Sequence, residues 1–527
     1  MHITKHSSVA GLLLALGVVA CNNDSLTNLN QNPNNPTSAP PGPVFTQAAR
    51  LSAARFIGSG FDLRQTEFVA QHWAEAQYPT DDDYSRLGPT DTQGTWNNSY
   101  FTEIEDLNKI ASGGLAAKKP GIYGPAQVLQ SWDFEYLTDT WGDIPYSQAL
   151  QGDSTGGSLT PAYDPQKDVY AGLLATLTKD ATDMQGASND LGAADPIYSG
   201  SPSKWVKFAN SLRARLAMRL VNVDPAKADA ELKAALAPTA GGVFTSNADA
   251  AKLVWPGDGV YNNPQTDNFS TRDDHRVSQT LANILVQNND PRTPILMQPV
   301  QDSSLYPNGY GGMPNGLSAS AAGTYIKTAS RPGAFLFPGA TTFGTYGSSA
   351  NKKLPSYYMT YAELEFILAE AAERGIGGVT GSAASYYNAG ITASMQQFGV
   401  TDATAIATYL AQPGVAYAGG TKGLKQIAVQ KWIALVGDGD QAWAEWRRTC
   451  QPQTIKPGPN AAVSYVPRRF YYPSTEYSLN ATELAAAVTR QGPDDFSTRI
   501  YWDSKPTAAP TCDGSASGIP GDVKISY

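Results

Sequence analysis

The stretch GLKQIAVQKWIALVGDGDQAWAEWRRTC, Gly423 to Cys450, decides how the chain is read. Leu424, Ala428, Trp432 and Leu435 recur at helical spacing, so one apolar stripe of a helix faces inward. Gly437-Asp438-Gly439-Asp440 breaks that helix. Trp443 and Trp446 then sit three apart on a second short helix, closed by Arg447 and Arg448. Two helices about a tight polar turn, with three tryptophans and paired arginines, describe a packing hub rather than a reaction centre.

Working outward, the same spacing returns in pairs. Phe45, Ala48, Ser52 and Phe56 mark a helix that Gly58-Ser59-Gly60 stops, and residues 61–76 make a second with Val69 and Trp73 on its apolar face. After a polar loop over 77–95, Trp96, Tyr100, Ile104 and Leu107 resume the pattern. Residues 124–140 and 168–184 follow, then 204–221 with Trp205, Phe208, Leu212, Leu216 and Leu220. Asp224-Pro225 restarts a helix, Asp as N-cap and Pro in the first turn. Residues 358–374 and 383–398 precede the hub, and beyond Cys450 the chain reads as irregular.

Helical pairs near 44–76, 96–115, 124–184, 203–237, 358–398 and 423–449 predict a mostly α fold, an α–α superhelix of stacked helix-turn-helix units in one domain over 44–527. Between them, residues 238–355 are rich in Gly, Pro, Asn, Thr and Tyr, with one helical pattern over 278–287. An insert this long inside a compact protein usually carries function.

The N-terminus reads as an export signal. A weakly basic start precedes a twelve-residue apolar run, Val9 to Ala20, too short to span a bilayer. Val18-Val19-Ala20-Cys21 is similar to a bacterial lipobox. Residues 1–20 are then a signal peptide, Cys21 is acylated, and 21–43, polar and proline-rich, form a tether between anchor and globule. That leaves Cys450 and Cys512 as an even pair in an oxidising compartment, expected to form a disulfide pinning the tail to the hub. The net charge of −9, with no run of Lys or Arg, argues against a nucleic-acid partner.

Catalytic patterns are weak. Gly152-Asp153-Ser154-Thr155-Gly156 matches a nucleophile-elbow spacing, but its flanks are loop and only His72 and His275 follow the signal. Two distant histidines and no Cys cluster predict no zinc site, and no cofactor is predicted. Asp438-Gly439-Asp440 fails as a calcium loop, because its sixth and twelfth positions are Trp443 and Thr449. Asp81-Asp82-Asp83 reads as a solvated acidic loop, with calcium as the alternative use. Glu363 and Glu370 flank an apolar helix face and need partners, for which Arg447 or Arg448 are the natural candidates.

Aromatic residues crowd the loops. Trp73, Tyr78 and Tyr84 bracket the first long one; Trp255, Tyr261 and Phe269 lie beside Asn262 in the insert, and Tyr306, Tyr310, Tyr325 and Tyr346 follow. Flat rings beside amides suit sugars, whose C–H faces stack while their hydroxyls take hydrogen bonds. Trp73, Tyr78, Tyr84, Trp255, Tyr261, Asn262 and Phe269 are the ligand-binding candidates. Packing of the loops is the competing use for each ring.

Four stretches together resemble the SusD/RagB family of outer-membrane nutrient-binding lipoproteins, in its second SusD-like branch. They are YLTDTWGDIPYSQAL (136–150), YYMTYAELEFILAEAAERG (357–375), IAVQKWIALVGDGDQAWAEWRRT (427–449) and PRRFYYPSTEYSLN (467–480). The resemblance implies tetratricopeptide-like helix pairs, an irregular half that carries the ligand surface, and a TonB-dependent barrel transporter as partner. It transfers no ligand-contacting residue and does not supply the cysteine pair. The expected function is a cell-surface lipoprotein that captures oligosaccharides without catalysis. Oligopeptide cargo, a lipid-anchored glycosidase with two carboxyls about 5–9.5 Å apart, and a helical adaptor lacking any cleft are the alternatives.

Overall fold

The computed structural model describes residues 39–152, 156–269, 272–338, 351–503 and 512. The signal peptide, most of the tether, the Cys21 acylation site and the centre of the Gly152–Gly156 motif lie outside them. The molecule is mostly α. Helix Pro41–Phe56 packs on Glu103–Ala116, which packs on Pro120–Trp141, and the series continues through Gln166–Asp183, Pro202–Arg219 and Pro225–Ala235. Pro202–Arg219 also meets Tyr361–Arg374, which packs against both Ala383–Gln397 and Gly420–Ala434. Each helix thus buries one face on its neighbour in sequence and another across the stack, as stacked helical pairs must. No helix among the described residues is long and apolar enough to cross a membrane.

Several boundaries differ from expectation. The first helix begins at Pro41, inside the expected tether, because proline is well placed in a first helical turn. The helix expected over 61–76 is a π-helical turn, Asp62–Thr66, running into Glu67–Val69 and stopping where Gln71 takes φ 57°. Trp73–Glu75 is instead a strand, paired antiparallel with His275–Val277 from the insert. Ala251–Leu253 pairs likewise with Ser356–Met359. Short two-stranded ribbons therefore tie the insert to the helical stack, which helical periodicity cannot reveal. Beyond Cys450 the chain is not wholly irregular: Ala481–Gln491 is helical and buries Leu484 and Ala487.

The hub consists of helices Gly420–Ala434 and Gly439–Thr449, with Asp438 capping the second by accepting from Gln441 N–H. Its tryptophans anchor irregular chain: Trp432 Nε1 donates to Ala70 O (3.0 Å) and Trp443 Nε1 to Pro467 O (2.8 Å). Arg447 stacks over Trp443 at 3.6 Å and donates to the carbonyls of Asp139 (2.6 Å) and Arg468 (3.0 Å). Arg448 forks onto Glu370 (2.7 and 2.5 Å) and reaches Glu445, whose other oxygen accepts from Lys431 (3.1 Å). The expected arginine partner is thus present for Glu370, whereas Glu363 turns to Arg215 at 3.4 Å on a different helix. Cys450, just past the hub at φ 61°, is bridged to Cys512, with Sγ–Sγ 1.99 Å.

The turn between the hub helices is partly buried, and its backbone is held by carboxyls from the π-helical segment and the helix that follows it. Gly437 N–H donates to Glu67 Oε1 (2.6 Å) and Gly439 N–H to Asp62 Oδ1 (2.6 Å). A Cβ on Gly439 would lie 2.3 Å from Glu67 N, so only glycine allows this approach. Glu67 also meets His72 Nδ1 at 2.6 Å, while His72 Nε2 lies 3.0 Å from the carbonyl of Trp432. A ring nitrogen facing a carbonyl must carry hydrogen, so Nδ1 of a neutral His72 accepts and Glu67 donates as the protonated acid. Burial drives both groups to that state, pushing Glu67 up to about 8 and His72 down to about 3.

Two outcomes test this frame. Glu445→Ala leaves Arg448 and Lys431 short of a buried partner and is expected to cost about 3–5 kcal/mol in denaturant unfolding; breaking the exposed Lys179–Asp183 pair should cost under about 1 kcal/mol. The stability that Glu67 contributes is complete below its ordinary 4.5 and is lost as pH rises through about 8. That of His72 is complete above 6.5 and lost as pH falls toward 3. Glu67→Gln mimics the protonated acid, so urea melts should show a flatter decline between pH 4.5 and 8 than in the parent; an unchanged slope contradicts the neutral pair.

Candidate functional site

The structure separates the predicted ligand residues into two groups. Trp73, Tyr84, Trp255 and Phe269 are buried and offer no face to a ligand, contrary to the expectation from sequence. Their rings serve as the core of the loops. Trp73 stacks on Phe335 (6.2 Å), Trp255 Nε1 donates to Ser356 Oγ (2.9 Å), and Phe269 packs edge-on against His275 (5.2 Å) and Phe337 (5.4 Å). Tyr78 and Tyr261 do remain open, 52% and 43% exposed. Arg272 lies over the Tyr78 ring at 4.8 Å and Arg50 over that of Tyr261 at 5.2 Å. Asn262 is half-buried and shapes its own loop, accepting from Gly259 N–H (3.0 Å) and donating to Asp267 (3.0 Å). Tyr346 lies outside the described residues.

A cleft of about 350 Å³ opens where the insert meets the hub, at the lower end of the ~300–1,000 Å³ usual for small-ligand sites. Phe335, Tyr357 and Phe398 supply aromatic wall, and Gln265, Asn351 and Gln397 supply amides. The hub turn itself, from Ala434 to Asp438, lines it together with Glu363. The stretch that reads as pure scaffold is therefore also part of the cleft. Sequence reasoning missed Phe335 and Phe398 because neither sits among polar loop residues: one follows Gly333-Ala334 and the other ends a helix.

The carboxyls of this cleft are committed in different ways. Burial, then the nearby Asp62, pushes Asp438 well above the usual carboxylate range, and Tyr136 O–H donates to its Oδ2 (2.8 Å). Glu363 gives one oxygen to Arg215, while its Oε1 is buried without a hydrogen-bond partner. A second, more polar cavity of about 290 Å³ is bordered by Arg64, Arg86, Asp81 and Asp91, and these already pair with one another. Asp81 and Asp82 are buried, so the acidic run is not the solvated loop expected from sequence.

A family model described as "Starch-binding associating with outer membrane", SusD-like_2, matches residues 33–473. Among solved structures, a chitin-binding protein is 27% identical with a TM-score of 0.75, covering 88% of this chain and 100% of its own. A chitin-binding SusD homolog from Flavobacterium johnsoniae is 26% identical with a TM-score of 0.73, over 89% and 98%. A SusD homolog from Bacteroides uniformis, 23% identical with a TM-score of 0.71 over 89% and 100%, shares the fold. No curated protein matches the chain in sequence.

Trp255 distinguishes scaffold from site. Trp255→Ala removes a buried ring and is expected to cost about 3–5 kcal/mol of stability in denaturant melts; a loss well below that would contradict its place in the loop core.

Proposed function

The chain belongs to the SusD-like_2 family, and from that premise we propose that it is a cell-surface lipoprotein that binds glycan and passes it to a TonB-dependent outer-membrane transporter without chemistry of its own. The observation that carries the reading is the cleft over the hub turn, which three aromatic rings and three amides line together with Glu363. Aromatic faces take the C–H surface of a pyranose, and amides with an acceptor take its hydroxyls. An N-acetylated sugar adds a methyl and an amide that suit the same mixture, in keeping with the chitin-binding relatives. Tyr78 and Tyr261, each with an arginine over its ring, are proposed as outer contacts for a longer chain.

Binding without catalysis is supported by the use of the cleft's carboxyls. Asp438 caps a helix and accepts from Tyr136, and Glu363 pairs with Arg215. Acylation at Cys21 and the tether are proposed on the lipobox alone. The adaptor reading predicts no small-molecule cleft, so the cleft counts against it.

Calorimetry of the chain from residue 39 onward, against chito-oligosaccharides, malto-oligosaccharides and mixed peptides, tests the proposal. Binding of a glycan, weakened about tenfold or more by Phe398→Ala with a fold unchanged by circular dichroism, is expected. Retention of peptides alone, or glycan binding indifferent to Phe398, Tyr357 and Tyr78, would overturn it.

A further inference from the structure

Away from the cleft, the ribbon between Trp73–Glu75 and His275–Val277 sets Glu75 opposite His275, with Asp274 immediately before the histidine. One ligand atom from each of Glu75, Asp274 and His275 lies within 4.8 Å of the others, and all three side chains are buried. From His275 Nδ1, Asp274 Oδ1 stands at 3.1 Å and Glu75 Oε2 at 3.9 Å. Atoms bound about 2.1 Å from one small dication stand about 3–3.5 Å apart, so modest side-chain movement brings this set onto a common ion.

Two further observations point to such an ion. Glu75 Oε1 accepts from the N–H groups of Gln77 (2.9 Å) and Tyr78 (3.1 Å), whereas its Oε2 is buried without a hydrogen-bond partner. Behind it, buried Asp82 accepts from Glu75 N–H through Oδ2 (3.0 Å) and also meets the backbone of Gly316. The second observation is charge. Glu75, Asp82 and Asp274 bring three carboxyls into a buried region, against which Arg272 is paired, to Asp274 at 2.5 Å. Arg276 is directed to Asp273 and Ile326 O, and Arg64 to Asp81. The surplus of acid is what a divalent cation neutralises.

We propose that Glu75, Asp274 and His275 form a binding site for a divalent transition ion of zinc's class, with Asp82 as the outer carboxylate. An imidazole among the donors selects such an ion over calcium, which takes six to eight oxygens. The separation of His72 and His275 in sequence hid the site, because its donors come from strand neighbours 200 residues apart in the chain, Glu75 and His275. The ion would also fix the backbone that carries Tyr78, since the other oxygen of Glu75 holds Tyr78 N–H. The proposal does not depend on the glycan reading, and its test uses the metal alone.

The chain from residue 39 onward, stripped with chelator, is titrated with Zn²⁺ by calorimetry and followed by thermal melting. One equivalent bound, with a raised Tm, is expected. Glu75→Gln, which retains an acceptor for Gln77 and Tyr78, and His275→Gln should each weaken binding roughly tenfold or more. Because either variant can fold poorly, the parent is also loaded with Co²⁺, whose visible absorption should show a nitrogen–oxygen ligand set. Absence of zinc binding, absence of that cobalt spectrum, or affinity unchanged in both variants overturns the site. Calcium bound as tightly as zinc and indifferent to His275→Gln overturns the zinc class.

Discussion

The partly buried turn Gly437–Asp440 is the constraint on which the rest of the structure depends. A polar turn inside a protein must have its N–H groups met, and here Glu67 and Asp62 meet them from a different part of the chain. Those carboxyls are themselves buried, so the turn can stay there only with acids held neutral, as Glu67 is in donating to His72, or matched by donors such as Thr66 and Gln265 on Asp62. The arrangement locks the segment after the first helix against the last helical pair. Around it, arginines 215, 447 and 448 each reach across helices to a carboxyl or carbonyl. Leaving any one of these groups alone would strand a charge in the core.

The same turn connects the frame to the proposed site. Its Leu435–Asp438 segment borders the cleft, whose opposite wall comes from the insert through Phe335, Asn351 and Leu354. A rigid floor of partly buried turn and a wall of irregular chain is a sound division for a binding protein: the helical stack sets position, and the insert sets shape. On the proposed reading, Glu363 joins the two, lining the cleft while one of its oxygens is fixed by Arg215.

The helices and their pairing were legible because amphipathic spacing is a local signal, and the Asp224 cap sits where the sequence places it; the Asp438 cap was hidden in what reads only as a helix break. The ribbon pairing Trp73 with Val277 was not, since three-residue strands have no period to count and their partners lie far away in sequence. The ligand candidates fared unevenly for a related reason. A tryptophan in a loop is as useful for packing that loop as for binding, and Trp255 is spent on Ser356. Only the fold reveals that Tyr78 and Tyr261 stay open while Phe335 and Phe398 border a cleft. The Glu370–Arg448 pair could be anticipated from helix faces; the choice of Arg215 for Glu363 could not, because it depends on how separate helices cross.

The central claim is that ligand is held between insert and hub turn. Hydrogen–deuterium exchange with and without saturating chito-oligosaccharide tests it most directly. The account predicts slowed exchange in residues 354–360, 397–399 and 434–438, with the outer helices Gln166–Asp183 and Pro225–Ala235 unchanged. Protection confined to those outer helices, or no protection at the cleft at saturating ligand, would contradict it.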